Sequence, residues 1–335
     1  MNRPQPKTVG FKPNERNIFF HLLTACNLSC KHCYINPDQH GTNMVSCQTM
    51  EEWLALFAHP TRETNIIFLG GEPTLHPDLA HGIQTARKLG YASITVDSNG
   101  FLFHDFLEKV APEDLDFLSF SLDGPTPGIN DPIRGRDVFK TCTENIIRAV
   151  KKNFNVSLIY TVSRMNIHHL HRMPDLLDGL GVKRFFIQVI GLRGKSAQSP
   201  GDLQLTPEEW RGIIPEVAAK AAEKGIHVTF PKVFLDKDEA FACAGNVAEN
   251  FFIFPNGRVY LCPLCEDYPV NAYRIEDNQL LDNDGITEKH FFSLNIPEGC
   301  VLNKMLQPGN LVYDKHGTPL SRISCCLLKQ EISPS

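Results

Sequence analysis

Cys26, Cys30 and Cys33 lie within eight residues as C-x3-C-x2-C. Three thiolates on one short loop can hold three corners of a cubane iron–sulfur cluster and leave the fourth iron open to a non-protein ligand. A zinc site takes a fourth protein ligand, and His32 is too close in sequence to supply it easily. Structural zinc and unligated thiols are the alternatives. Six more cysteines fall near the other end: Cys243, Cys262, Cys265, Cys300, Cys325 and Cys326. The first three form C-x13-G-x4-C-x2-C around Gly257, so a hairpin there would bring the three thiols together. Iron–sulfur ligation or structural zinc would both suit such a group. Cys47 and Cys142 stand apart and are expected to be core or surface thiols.

These residues need a scaffold, and the chain is long enough to build one. It has 335 residues, 42% of them apolar and 21% charged, which suits a globular protein with a buried core. No apolar run approaches the length of about 18 residues that a membrane span needs. A net charge of −5 argues against nucleic acid as the main partner and leaves small molecules or peptides. The first residues lack the apolar stretch of a secretory signal, so a cytoplasmic location and reduced thiols are expected.

Short apolar runs alternate with helical patterns from about residue 16 to 235. Strands are expected at 17–23, 65–69, 93–97, 116–121, 156–162 and 184–189, with a further one near 227–230. Helices are expected at 48–58, 77–89, 104–110, 137–153, 168–180 and 206–225. In the first helix Met50, Trp53, Leu54 and Phe57 fall on one stripe. Each connection is long enough for a crossover, so the strands should be parallel and covered by helices. The expected fold is α/β: a partial (β/α)6 TIM-like barrel with a small C-terminal iron–sulfur domain of hairpin and loops. Residues 1–15 would be an N-terminal extension, 16–235 the barrel and 236–335 the second domain. Pro255-Asn256-Gly257 between two apolar runs is a strong hairpin signal. The His-rich stretch 167–171 is expected to be a solvated helix face and not a metal site.

The cysteine run after the first strand resembles the radical S-adenosylmethionine (SAM) superfamily, and the resemblance covers about residues 16–235. It implies a [4Fe-4S] cluster on Cys26, Cys30 and Cys33 whose open iron binds SAM. One-electron reduction would cleave the SAM to a 5′-deoxyadenosyl radical, which removes a hydrogen atom from a substrate. Gly70, Gly71, Glu72 and Pro73 match the family's GGEP motif, in which the carboxylate meets the methionine ammonium. Ser98 and Asn99, Ser121 and Asp123, and Arg134 resemble its polar contacts to ribose and carboxylate, with Asn166 and Gln188 as weaker candidates. The second cysteine group resembles the superfamily's SPASM and Twitch extensions. The spacing fits the one-cluster Twitch form, with Cys243, Cys262, Cys265 and Cys300 as ligands and Cys325 or Cys326 as a substitute for Cys300.

The resemblance implies an enzyme, with an oxidoreductase-like reaction favoured and a flavodoxin or ferredoxin as reductant in an anaerobic or microaerobic setting. Its substrate is expected to be a peptide or protein undergoing maturation or modification. The alternative is a small molecule such as an aminocyclitol, a nucleotide or a tetrapyrrole precursor. Only 16 residues precede the first strand, which lowers the peptide reading. The terminal EISPS also fits poorly with the GTP-rearranging family, whose members end in Gly-Gly. A non-enzymatic iron–sulfur protein fits least, because it would need no sulfonium-binding groups.

Overall fold

A computed structural model describes residues 5–236 and 238–334. The first four residues of the expected extension, Lys237 and Ser335 lie outside it. Thirteen strands among these residues form one sheet. They are β1 (Lys7–Val9), β2 (Glu15–His21), β3 (Glu63–Leu69), β4 (Ser93–Ser98), β5 (Phe117–Ser121), β6 (Val156–Val162) and β7 (Arg184–Val189). β8 (His227–Pro231), β9 (Glu249–Ile253), β10 (Arg258–Tyr260), β11 (Tyr273–Glu276), β12 (Gln279–Asp282) and β13 (Lys329–Ile332) complete it.

β2 to β8 pair in parallel, each with the next in sequence. Side chains alternate across these strands because the strand period is two. Ile18 and Phe20, Ile66 and Phe68, Ile94 and Val96, and Leu118 and Phe120 are buried in the main core. Their odd-numbered neighbours, among them Phe19, His21, Leu69, Asp97 and Ser121, line a cavity on the other face. The outer layer is helical. Helix Cys47–Phe57 starts where the Ser46 side chain accepts from Thr49 N, and it buries the expected stripe. Helix Pro207–Glu223 starts with a capping box between Thr206 and Glu209.

The sheet is an open partial barrel, as expected, but it carries more strands than the periodicity suggested. β9 pairs in parallel with β2, and β10, β11 and β12 continue from it as antiparallel neighbours. The strands after residue 236 therefore extend the barrel sheet itself. At the other edge β13 pairs antiparallel with β8, and β1 pairs with β13. The expected hairpin forms between β9 and β10, with Gly257 at φ +81° in the left-handed region. The helix expected at 104–110 shrinks to Phe106–Lys109. Val110 and Ala111 are extended ahead of Pro112, because a residue before proline is pushed out of the helical region. The segment 167–180 opens as a 3-10 turn, Ile167–Arg172, before helix Met173–Leu180 begins. No helix among the described residues is long and apolar enough to cross a membrane.

Candidate functional site

The loop after β2 carries Cys26, Cys30 and Cys33, and all three line the cavity at the barrel mouth. The two glycines after β3 bring a second strand end against this loop. Gly71 N donates to Leu23 O at 2.8 Å and Glu72 N to Ala25 O at 3.0 Å. A Cβ at Gly71 would lie 2.1 Å from Ala25 O, and one at Gly70 2.3 Å from Leu23 O. Only glycine permits this approach, and Gly70 also holds φ at +151°. Arg134 O takes a contact from Cys30 Sγ at 3.8 Å, and Ile133 O accepts from Lys31 N at 3.0 Å. Burial pushes the Cys26 thiol up to about 11.

Glu72 joins the next motif. Its carboxylate is buried and accepts from Ser98 Oγ at 2.8 Å, Asn99 N at 2.7 Å and Thr74 Oγ1 at 2.7 Å. No cation pairs with it among the described residues. Burial raises its pKa, and a ligand ammonium would relieve that cost. Asn99 Nδ2 reaches back to Asn27 Oδ1 at 2.8 Å and approaches Cys26 Sγ at 3.7 Å. Pro73 begins a 3-10 turn behind Glu72 and does not line the cavity.

Ser121 and Arg134 do line it. Asp123 lies beneath them, fully buried, with Arg134 Nε at 2.6 Å and His32 Nε2 at 3.3 Å. The carboxylate thus orients Arg134 and ties the cysteine loop to the end of β5. Asn166 is a structural clasp, donating to Asp123 O and Thr161 O at 3.1 and 2.9 Å. Gln188 faces the cavity.

The second cysteine group surrounds the β9–β10 hairpin. Cys262 precedes the turn Pro263–Cys265 and Cys265 ends it, and Cys243 and Cys300 each precede a short helix. Cys325 also approaches this group, since Ala244 N donates to its Sγ at 3.5 Å. Cys326 contacts Cys262, shares the apolar cluster of Cys265 and Cys300, and alone of the six lines the cavity. The tertiary structure therefore gathers six thiols where the spacing suggested four. Burial pushes Cys243 up to about 12. No three His, Cys, Asp or Glu side chains among the described residues crowd closely enough to hold a single metal ion.

Sequence reasoning missed the carboxylates that support this group. Buried Glu288 accepts from Leu261 N at 2.6 Å, Cys262 N at 2.9 Å and Ala272 N at 3.2 Å. Glu266 pairs with Arg193, whose guanidinium lies over the Tyr34 ring at 4.9 Å. Tyr34 Oη in turn meets His21 Nε2 at 2.8 Å. His21 and His40 stack on Phe254 at 4.0 and 3.9 Å, and His40 Nε2 meets Glu266 O at 3.0 Å. Nothing in local spacing marks these residues, because their partners are up to 232 positions away.

The cavity has a volume of about 360 Å³. Three thiols, the unpaired carboxylate of Glu72, and Ser98, Asn99, Ser121 and Arg134 share it. These groups fit an open-sided iron–sulfur cluster beside a ligand carrying an ammonium and a carboxylate.

Fold and site together define a class. Residues 21–177 match the family described as the radical SAM superfamily. The superfamily's cofactors are a [4Fe-4S] cluster and SAM. Among curated relatives, a probable GTP 3′,8-cyclase of Saccharolobus solfataricus is 27% identical over 50% of this chain and 54% of its own length. An Fe-coproporphyrin III synthase of Methanosarcina barkeri is 27% identical over 66% of this chain and 55% of its own. The chain thus spans about half the length of these relatives. The fold is shared with Streptococcus suis SuiB bound to its precursor peptide SuiA, with TM-score 0.61, 12% identity, and 89% and 66% of the two chains covered. It is also shared with anSMEcpe bound to AdoMet, with TM-score 0.59, 17% identity and 87% and 82% coverage. What these structures share with the chain is the fold, here an open partial barrel whose sheet the C-terminal strands extend.

Proposed function

We propose that this chain reductively cleaves SAM and abstracts a hydrogen atom from a substrate held in the barrel cavity. The carrying observation is that Cys26, Cys30 and Cys33 share one cavity with the cation-free carboxylate of Glu72. The three thiols would hold the cluster, which with bound SAM supplies the electron and the 5′-deoxyadenosyl radical. Glu72 would accept the methionine ammonium, and Ser98, Asn99, Ser121 and Arg134 would orient ribose and carboxylate. Asp123 keeps Arg134 in place from below.

Cys243, Cys262, Cys265 and Cys300, with Cys325 or Cys326 as a further ligand, would hold one auxiliary cluster. Such a cluster would accept an electron from substrate or brace the fold, and a flavodoxin or ferredoxin would supply the initiating electron. The cavity must hold SAM and substrate together, so its 360 Å³ favours a small molecule or a single side chain over an extended peptide. The relatives named for small-molecule reactions support the same reading. Peptide or protein modification is the second reading, and the fold shared with SuiB and anSMEcpe supports it.

The test is formation of 5′-deoxyadenosine from SAM and dithionite after anaerobic reconstitution, with and without candidate substrates. Production by the wild type and none by Cys26/Cys30/Cys33→Ala is expected. Equal production by both would overturn the assignment.

A further inference from the structure

Among the described residues, three lysine or arginine side chains line the cavity: Arg134, Arg193 and Lys329. Arg134 is neutralised by Asp123 and Arg193 by Glu266. Lys329 has no carboxylate within 4.0 Å among the described residues. Its ammonium lies 5.2 Å from the Phe186 ring centroid, a contact that holds the cation without cancelling its charge. Glu331, Glu15 and Asp97 are near enough to feel that charge but too far to pair with it. Glu15 faces Lys12 at 3.4 Å, Glu331 lies 3.8 Å from the His227 imidazole, and Arg184 adds positive charge near Lys329.

The placement is a consequence of β13. That strand pairs Lys329 with Pro231 of β8, which turns the lysine to the cavity face while Ile332 enters the core. The residue is exposed toward the cavity, and the protein packed around the cavity lowers the pKa of its ammonium, so the charge stands open to an arriving anion. The cavity wall carries apolar residues, among them Phe19, Phe186, Val233, Phe252 and Leu327, together with the carboxylate of Asp97.

We propose that Lys329 docks a carboxylate of the substrate, whose apolar body lies against Phe186 and Phe252. This rests on the reading of the cavity as the substrate chamber, and it narrows the substrate class to an organic acid. The acid could be a free small molecule or an acidic side chain of a peptide, and both present the same group to the lysine.

The test measures binding to the reconstituted holoenzyme by calorimetry with two matched pairs of probes. One pair is naphthalene-2-carboxylate and naphthalene-2-carboxamide. The other is a blocked pentapeptide with a central glutamate and its glutamine counterpart. In at least one pair the wild type should favour the acid by about tenfold or more, the worth of a hydrogen bond to a charged group. Lys329→Gln should lose that preference and Lys329→Arg should keep it, with thermal unfolding checking that both variants fold. Preference in the naphthalene pair alone assigns a small acid; preference in the peptide pair assigns a peptide side chain. No preference in either pair, no binding of any probe, or a preference that survives in Lys329→Gln overturns the proposal. Cys26/Cys30/Cys33→Ala should keep the acid preference. Failure of the cluster reading would therefore appear in iron content and failure of this one in the probe pairs.

Discussion

Gly71 sets how closely two motifs can approach, because its missing Cβ leaves room for the Ala25 carbonyl. Gly71→Ala would place a carbon 2.1 Å from that oxygen, so the cysteine loop must shift. A loss of about 1–3 kcal/mol in stability is expected from such overpacking, with lower iron loading measured on the same samples. Glu72→Gln tests the neighbouring residue. It removes the charge that would hold an ammonium, so SAM affinity should fall about ten- to a hundredfold in equilibrium dialysis. His21 and His40 give the acid limit of the fold. Burial lowers their pKa values from 6.5 to about 3 and about 4. The unfolded chain therefore binds protons that the folded one refuses. Their contribution is intact above pH 6.5 and is lost as pH falls from there through 4. Each histidine costs about 1.4 kcal/mol per pH unit over that window. Denaturant unfolding at pH 7 and pH 5 should show the loss, and a flat profile would argue against two neutral, buried rings.

At the scale of elements, β13 covers an edge of the parallel sheet. Its removal would expose the unpaired groups of β8, so deletion of residues 329–335 should lower the melting temperature and promote association, read by calorimetry and light scattering. Asp123 joins the end of β5 to helix Pro127–Arg134 and to His32 of the cysteine loop. Asp123→Ala would leave the buried Arg134 guanidinium without its partner. That should cost about 3–5 kcal/mol, more than loss of an exposed pair such as Lys109–Asp105.

At the scale of the whole molecule, two thiol groups more than 200 residues apart in sequence are joined by Tyr34, Arg193, Glu266 and the His21–Phe254–His40 stack. Metal analysis after reconstitution tests this arrangement. About eight iron per chain are expected for the wild type and about four for Cys26/Cys30/Cys33→Ala. Cys262/Cys265/Cys326→Ala should also retain about four. Zinc replacing iron in the first triple variant would make the C-terminal group a structural zinc site.

The barrel strands and the two thiol groups were legible in the sequence, because period-two alternation, helix caps and cysteine spacing are local signals. Gly70 and Gly71 were legible as a motif, but their role against the Leu23 and Ala25 carbonyls was not. Only the tertiary structure decided where β9 and β13 pair, since short strands carry little pattern of their own and take their place from the sheet edges already formed. That pairing brought Cys325 and Cys326 to the second thiol group, placed Glu288 under Cys262 and turned Lys329 into the cavity. The sequence determined the chemistry available to this protein. Long-range strand pairing decided which charged groups meet a partner and which face the cavity alone.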